Sequence, residues 1–465
     1  MTSGVQLVTK SLPVVVVPSS SGPAPPTAGE TVRLSPFDRC VAPFPVTMLL
    51  AFDRPIQEPA ETIKSALSRA LAHYRPIAGR LRLTPRPGDD DGEEPCIACT
   101  DEGITFVGAS ASCGLEDVTT ALLTDLVIRY PAELCRDTEP LLLLQVTDFT
   151  CGGFTVGVTF NHVVADGSGL AQFLRFVGEL ARGAPQPSLG PVRRWDDGLP
   201  SLPVSTVAAQ KSTMAHGRKD LARVDVVVPF SLISGIKAES GGTVFDVVTA
   251  VLWRCRTRAI MSAAAGDDPE SPAPLAFPSD VRARVGAQAG YYGNCVVVQL
   301  VPATTRAAVA SAGIGDLVAL IRRAKEKIPD LLLPAGTSPD PSPSEEQGTP
   351  AFDDAAAAGA GGTAVSAAEG GDQEEMKLAY NALVVANWRT LGVDEVDFGG
   401  GVPASVTWHE ERAVVPGCVA CPPCRNREDD GVRVAAICVK TEHAGAFLEE
   451  LVSMGTRVLP SNLWA

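Results

Sequence analysis

The hydrophobic and polar residues of the chain follow helical and strand periods in turn. In residues 60–74, apolar side chains recur at helical spacing, which predicts an amphipathic helix. In residues 154–160, Phe and Val alternate with Thr and Gly, which is the period of a β-strand. The same criteria predict further strands at 6–9, 141–148, 224–228 and 291–301, and further helices at 243–257, 314–328 and 443–457. Such a mixture is typical of an α/β protein.

Two stretches without any period divide the chain. Residues 183–220 carry repeated Pro, Arg and Trp, and we interpret them as a crossover linker between an N-terminal domain, 1–182, and a C-terminal domain, 221–465. Residues 334–375 consist almost only of Pro, Ser, Ala, Gly and acidic residues, which bury too little apolar surface to order a chain. We expect a disordered insertion there, within the C-terminal domain.

Composition and charge exclude several classes of function. The chain has 465 residues, of which 39 are Lys or Arg and 54 are Asp or Glu, so its formal net charge is −15. No broad basic field is available for a nucleic acid. The sequence shows no secretory signal pattern and no apolar run long enough to span a bilayer. With 12 Cys at this length, we expect cytosolic thiols and a soluble cytosolic protein without a membrane partner.

One histidine stands where a strand gives way to a helix. His162 directly follows the alternating strand, Asp166 comes four residues later, and Gly167 and Gly169 flank a serine before an amphipathic helix begins. An unperturbed imidazole is largely neutral at cytosolic pH, so His162 is a candidate general base for an alcohol or amine that attacks an acyl donor. A purely structural histidine is the alternative. Asp166 either orients the imidazole or points away and pairs with an arginine.

The surrounding motifs carry a family resemblance. Residues 161–169 resemble the HxxxDG motif of the plant BAHD acyltransferases, which transfer acyl groups from coenzyme A thioesters to alcohols or amines. Six further segments resemble landmarks of that family in the same order: 34–38 (LSPFD), 71–81 (LAHYRPIAGRL), 245–253 (FDVVTAVLW), 279–284 (SDVRAR), 291–295 (YYGNC) and 397–401 (DFGGG).

The resemblance implies a fold and a reaction. The fold is α/β, with two chloramphenicol-acetyltransferase-like domains of mixed sheet plus helices, joined by a long crossover loop and separated by a tunnel. Acyl-CoA, a co-substrate, reaches His162 from one face and a small-molecule acceptor reaches it from the other. A hydroxycinnamoyl, benzoyl or acetyl group then passes directly to a hydroxyl of a specialised metabolite. No cofactor or metal is implied, and the protein is expected to be a monomer.

The resemblance also assigns roles around the histidine. It implies that Asp166 points away from the catalytic centre and pairs with Arg284 or Arg282 of the 279–284 segment. Trp388 matches a tryptophan that lines the site near the oxyanion, and its indole is a hydrogen-bond donor. A core aromatic is the alternative interpretation of Trp388. We place Asp38 of the first segment in the same substrate pocket.

One motif departs from the family pattern. Asp397, Phe398 and Gly399 match the family's DFGWG segment, which lies away from the catalytic centre and supports the domain structure or the CoA side. Gly400 stands where the family has a tryptophan. The departure motivates a rival hypothesis, a non-catalytic binding protein with the family fold. A second rival keeps the chemistry and makes the acceptor an amine, such as a polyamine or an aryl amine.

Weaker signals receive structural interpretations. Cys418, Cys421 and Cys424 have metal-like spacing, but the intervening Pro-Pro and the charged run that follows favour a surface hairpin insertion. Arg193 and Arg194 either contact CoA phosphates or belong to a solvated linker. His409 is interpreted as structural or exposed.

We predict that deleting residues 334–375 changes the thermal midpoint of unfolding little, because a segment without a core contributes little to stability. Differential scanning calorimetry of the full chain and the deletion variant checks this. A large drop in the midpoint would show that the segment packs against the protein.

Overall fold

The computed structural model describes residues 7–20, 30–41, 43–85, 93–132, 135–184, 187–195, 202, 221–263, 268–301, 304–332, 380–410, 415–425 and 430–459. The predicted insertion at 334–375 lies outside these residues, and so do residues 196–201 and 203–220 of the predicted linker. Among the helices in the described ranges, none is both long enough and apolar enough to cross a bilayer.

The first sheet is seven-stranded and mixed. Its order is β1-β7-β8-β9-β4-β14, with β2 also paired to β7; β7 and β8 run parallel, and the other pairs run antiparallel. The strands are β1 (Val8–Lys10), β2 (Val14–Val16), β4 (Pro45–Phe52), β7 (Ile104–Ala111), β8 (Leu142–Asp148), β9 (Phe154–Asn161) and β14 (Ser405–Trp408). A small sheet beside it has the order β3-β6-β5 and consists of β3 (Thr31–Arg33), β5 (Arg80–Pro85) and β6 (Glu93–Ala98).

The second sheet is also seven-stranded and mixed. Its order is β12-β11-β13-β15-β16-β10-β17, and β13 runs parallel to both of its neighbours. The strands are β10 (Ala222–Pro229), β11 (Leu275–Asp280), β12 (Val296–Val301), β13 (Leu383–Asn387), β15 (Gly417–Ala420), β16 (Gly431–Val439) and β17 (Arg457–Val458).

Helices cover one face of each large sheet. The described α-helices are α1 (Pro59–Leu71), α2 (Gly167–Ala181), α3 (Phe230–Ser240), α4 (Val244–Ala263), α5 (Arg282–Val285), α6 (Arg306–Ser311), α7 (Ile314–Glu326) and α8 (Thr441–Ser453). Helices α1 and α2 share one apolar core with the first sheet, and α4 is the centre of a second core with the second sheet. On its second face, the second sheet contributes Val419 and Ile437 to the first core, whereas residues 115–127 cover Leu49 and Ala51 on the second face of the first sheet.

Element boundaries differ from the sequence predictions for identifiable reasons. The first helix ends at Leu71 and not at Tyr74, because Pro76 opens a short 3₁₀ turn, Arg75–Ala78, in place of a further α-turn. The fourth helix extends beyond 257 to Ala263, because Ala259 and Ile260 in the added turn are buried.

The predicted domain boundaries at 182 and 221 do not separate the strands of the two large sheets. Strand β14 belongs to the C-terminal part of the sequence, yet it pairs antiparallel with β4 at the edge of the first sheet. Ser405 lies opposite Ala51, and Trp408 lies opposite Met48. The prediction that the C-terminal domain comprises all of 221–465 is therefore wrong for this strand, since backbone pairing with β4 satisfies hydrogen bonds that no local pattern reveals.

Candidate active site

His162 is held at the end of β9 by its own backbone. The strand ends at Asn161, and the backbone N–H of His162 donates to the carbonyl of Phe44 at 3.1 Å. The next turn closes when Val164 N–H donates to the Asn161 carbonyl at 3.0 Å. Phe44 also lies against the imidazole, with ring centroids 5.2 Å apart. The ring thus projects from a fixed strand end.

A side-chain amide fixes the protonation of the ring. The Nδ2 of Asn294 lies 2.9 Å from Asp38 Oδ1 and 2.9 Å from the His162 carbonyl, and both atoms are acceptors. The amide nitrogen must face them, so Oδ1 of Asn294 is the atom that lies 3.1 Å from His162 Nδ1. Because this oxygen only accepts, Nδ1 carries the proton. Nε2 is left with its lone pair, and it has no hydrogen-bond partner among the described residues.

Asp38 lies behind the site and not in the substrate pocket. Its side chain is fully buried; Oδ1 accepts from both the backbone and the side chain of Asn294, and Oδ2 accepts from Ser35 N–H at 2.8 Å. Arg193 completes the set at 3.0 Å. Asp38 is not among the described residues that line the cavities beside His162. The placement of Asp38 in the substrate pocket was therefore wrong, because Asn294 stands between this carboxylate and the imidazole.

Arg193 is buried and not part of a solvated linker. The nearby Asp38 carboxylate outweighs the cost of burial and raises the pKa of the guanidinium, so Arg193 stays charged. The neighbouring Arg194 is exposed and pairs with Glu30 at 2.7 Å. Arg193 therefore neither contacts CoA phosphates nor belongs to a solvated linker, because its guanidinium neutralises the buried Asp38 carboxylate.

The second carboxylate, Asp166, caps a helix and points away from the imidazole. Its Oδ1 accepts from Gly169 N–H, at the start of α2, at 2.9 Å, and its Oδ2 accepts from Cys295 N–H at 2.9 Å. Arg282 donates to Oδ1 at 2.8 Å. Arg284 is exposed two residues further on. Of the two arginines that the resemblance offered, Arg282 is therefore the partner, and the assignment of Arg284 is wrong because its side chain points to solvent.

The two glycines beside Asp166 are required by close contacts. A Cβ on Gly169 would lie 1.9 Å from the Tyr292 carbonyl oxygen, and a Cβ on Gly167 would lie 2.6 Å from a methyl group of Leu391. The start of α2 can pack against Tyr292 and Leu391 only because neither position carries a side chain.

Burial lowers the pKa of His162 below its ordinary value of 6.5, although the Asn294 hydrogen bond and the Asp166 and Asp38 charges act in the opposite direction. Loss of water penalises the charged imidazolium, and no carboxylate touches the ring to compensate. The neutral, proton-accepting form is therefore favoured throughout the neutral pH range.

His162 lies where two cavities meet. The large cavity has a volume of about 1030 Å³ and carries cationic side chains from Lys237, Lys325 and Arg389. The apolar cavity has a volume of about 170 Å³ and is formed by facing residues of the two halves. His162 and Trp388 line both. The indole N–H of Trp388 has no protein partner among the described residues, so a hydrogen-bond donor is available next to the imidazole.

Asp397, Phe398 and Gly399 form a turn away from these cavities. Asp397 Oδ1 accepts from Gly399 N–H at 2.7 Å and from Gly401 N–H at 2.9 Å. Phe398 is buried edge-on against Phe52, with ring centroids 5.4 Å apart. Of the two roles that the resemblance offered for this motif, these contacts match the structural one. A Cβ on Gly400 would lie 3.0 Å from the Arg54 carbonyl, so the glycine allows a close backbone approach.

The cysteine cluster is internal. Cys418 lies on β15, and Cys421 and Cys424 are buried beside the guanidinium of Arg433, which donates to Cys424 Sγ. The expectation of a surface hairpin is therefore wrong. All twelve cysteines lie in the described ranges, and they are reduced thiols. Within those ranges, no three His, Cys, Asp or Glu side chains converge as a metal ligand set.

His409 is a buried structural residue. Its Nε2 lies 3.4 Å from the Thr124 hydroxyl, and burial lowers the pKa of this imidazole to about 3. It therefore stays neutral at any physiological pH.

Two sets of site residues escaped the sequence analysis. Asn294 lies in the YYGNC segment, and no role was predicted for it. The feature that could have indicated a role is its position as a polar residue directly before the apolar run 295–298. The wall of the apolar cavity was not predicted either: Val298 lies in the predicted strand 291–301 without a role, and no element was predicted around Val384. The available signal was the pair of short apolar runs at 296–298 and 383–386, which is typical of strand segments covered on both faces.

Comparison with known proteins identifies the family. The sequence model of the Transferase family matches residues 8–334, which is more than half of the chain. The protein therefore belongs to this family, the BAHD acyltransferases that its motifs resemble, and it is an acyl-CoA-dependent acyltransferase.

Relatives of known name cover nearly the whole chain. Acyl transferase 15 of Oryza sativa subsp. japonica is 39% identical, with 96% of this chain and 98% of the relative aligned. The myricetin 3-O-glucosyl 1,2-rhamnoside 6'-O-caffeoyltransferase AT1 of Crocosmia x crocosmiiflora is 32% identical, with 96% of this chain and 98% of the relative aligned.

Solved structures share the fold. Vinorine synthase superposes with a TM-score of 0.66 at 17% identity, covering 98% of this chain and 100% of that structure. TRI101 of F. sporotrichioides, complexed with coenzyme A and T-2, gives a TM-score of 0.60 at 15% identity, covering 92% and 99%. These similarities confirm the predicted fold class of two α/β units with mixed sheets and helices.

The two arginines of the 279–284 segment give a matched pair for mutation. We expect Arg282→Ala to lower the free energy of unfolding by about 3 kcal/mol, because Asp166 is left buried without its cation. Arg284→Ala is expected to change it by less than about 0.5 kcal/mol, as for other exposed positions. Urea denaturation followed by circular dichroism measures both. Equal losses in the two variants would contradict the pairing.

Proposed function

We propose that the protein transfers an acyl group from a coenzyme A thioester directly to a hydroxyl group of a small molecule, with His162 as the general base. The observation that carries the proposal is the unpartnered Nε2 of His162 at the junction of the two cavities. A donor and an acceptor that enter from different cavities both reach this atom.

The first step is a proton transfer. Nε2 of His162 accepts the proton of the acceptor hydroxyl as its oxygen attacks the thioester carbonyl carbon. The imidazolium that forms is stabilised through Nδ1–H by the Asn294 oxygen, and Asp38 holds the Asn294 amide in place. Asn294 and Asp38 are thus positioning residues, because neither touches the reacting atoms.

The second step expels the thiol. The carbonyl oxygen becomes an oxyanion in the tetrahedral intermediate, and the Trp388 indole N–H is the proposed donor to it. When the carbon–sulfur bond breaks, the CoA thiolate takes the proton back from Nε2 of His162. The products are an ester and free CoA, and the enzyme returns to its starting protonation without an acyl-enzyme.

The large cavity is the proposed donor site. The side chains of Lys237 and Arg389 make no hydrogen bond or ion pair within the described ranges and are available to phosphate groups, whereas the side chain of Lys325 is held by Asp246. A guanidinium and an ammonium suit the phosphates of coenzyme A. Structures of TRI101 with coenzyme A support a donor of this class. The named caffeoyltransferase among the relatives supports a hydroxycinnamoyl group, while benzoyl and acetyl groups stay candidates.

A product screen tests the proposal. The purified full chain is incubated with hydroxycinnamoyl-, benzoyl- and acetyl-CoA, each with a panel of alcohols and amines, and the products are identified by mass spectrometry. An ester product supports the proposal. An amide product alone would assign the amine-acceptor alternative, and no product from any pair would favour the non-catalytic binding protein.

We predict that His162→Ala lowers kcat by about 10²–10⁴-fold, since a positioned general base contributes about that much. Release of CoA thiol with a chromogenic disulfide reagent measures the rate. His73→Ala is the matched control, because His73 is exposed and lies outside both cavities. Equal activity in wild type and His162→Ala would remove His162 from the mechanism.

The lowered pKa of His162 predicts the acid limb of the pH profile. The active form is neutral, so activity is lost as the pH falls through the pKa and the imidazole becomes protonated. With the pKa below 6.5, more than half of the maximal kcat/KM is expected to remain at pH 6.5. Initial rates in overlapping buffers, with circular dichroism at each pH to show that the fold persists, check this. A half-maximal point above 6.5 would contradict it.

A further inference from the structure

The wall of the apolar cavity is built from the strand positions that usually face water. On β12 and β13, Val297 and Leu383 are fully buried under the helices, whereas Val296, Val298 and Val384 alternate with the buried positions and are partly exposed. Side chains on the second face of a sheet are ordinarily polar when that face is solvated. Here they are apolar, and they line a cavity of about 170 Å³. The sequence thus places an apolar surface on the second face of these two strands, where it lines a cavity.

The opposite wall is apolar as well. Phe44 and Val46 face the strands from the first sheet, and Trp388 and Trp408 close the sides. Among the described lining residues, Glu410 is the one carboxylate and His162 is the one imidazole. A ligand in this cavity therefore contacts mainly aromatic and aliphatic surface.

The volume limits what fits. A cavity of about 150 Å³ lined by apolar side chains holds one benzene ring. The apolar cavity, at about 170 Å³, has room for one aromatic ring or a branched aliphatic group of similar size. A sugar in that space would leave several hydroxyl groups without partners, and each buried unpaired hydroxyl is costly. A polyamine would place several ammonium groups near a single carboxylate.

We infer that the acceptor is a compact alcohol with one aromatic ring or a comparable apolar body, and that Val298 and Val384 set its size limit. The inference rests on the proposed function. It distinguishes this chain from the Crocosmia relatives, whose name describes action on a glycosylated flavonol. The acceptor body lies in the apolar cavity with its hydroxyl at Nε2 of His162, while the donor occupies the large cavity.

The first experiment compares acceptors on the wild-type protein. Cinnamyl alcohol and 2-phenylethanol represent the compact alcohols, a flavonol 3-O-glucoside represents the glycosides, and spermidine represents the polyamines, all with the donor that gives the fastest thiol release. We expect kcat/KM for a compact alcohol to exceed that for the other two by at least about tenfold, a difference typical of pocket discrimination. A higher kcat/KM for the glucoside or for spermidine would overturn the inference and leave the acyltransferase proposal standing. If no acceptor gives a product, the proposed function fails first.

The second experiment fills the cavity. Val298→Phe places a ring in the space proposed for the acceptor. Leu300→Phe is the matched control, because Leu300 lies on the same face of β12, is 47% exposed and does not line the cavity. We expect Val298→Phe to raise the KM for cinnamyl alcohol by about tenfold or more while the KM for acyl-CoA changes less than about twofold. Leu300→Phe is expected to change neither constant.

Two outcomes of the second experiment would overturn the inference. A raised KM for acyl-CoA with an unchanged KM for the alcohol would mean that the cavity holds the acyl group. Equal effects of Val298→Phe and Leu300→Phe would mean that the cavity holds neither substrate.

An enlarging variant keeps the test valid if Val298→Phe fails to fold. Val298→Ala removes two methyl groups from the wall, so we expect kcat/KM for a two-ring alcohol such as 2-naphthylethanol to rise relative to 2-phenylethanol, by about threefold or more. An unchanged ratio in a variant with wild-type circular dichroism would show that Val298 does not limit acceptor size.

Discussion

The buried carboxylate of Asp38 is the charge around which the site is assembled. An isolated ionised carboxylate in the interior is prohibitively costly, so it must be paired and fully hydrogen-bonded. Here Arg193 supplies the positive charge, while Ser35 and Asn294 supply the remaining donors. Satisfying Asp38 therefore orients the Asn294 amide, and the amide in turn decides which nitrogen of His162 carries the proton.

Asp166 is the second buried carboxylate of the site, and it lies in the loop between His162 and α2. It links the start of α2 to Arg282 and to the backbone of Cys295, so the loop after His162 is tied to the second half of the chain. Since Asn294 and Cys295 are adjacent, the two carboxylates anchor neighbouring residues of one segment. Small displacements between the halves would disturb both networks together. The arrangement explains why carboxylates that never touch the imidazole are integral to the site.

The two cavities give His162 polar surroundings on one side and apolar surroundings on the other. The large cavity carries lysine and arginine side chains, whereas the apolar cavity presents valine and tryptophan surface. His162 is partly buried between them, and removal of water from the imidazole keeps it neutral. A neutral imidazole in this position can accept a proton, and it forms no salt bridge with a carboxylate.

The sequence by itself determined the α/β class, the strand–turn–helix around His162 and the family, because periodicity and short motifs are local properties. Tertiary structure decided the rest. It showed that Arg282 and not Arg284 pairs with Asp166, since both arginines lie within a few residues and only the direction of the side chain distinguishes them. It also placed Asp38 behind Asn294, a contact across 256 residues that no spacing rule reaches. The apolar cavity likewise exists only where two sheets face each other, and a strand's sequence does not state what covers its second face.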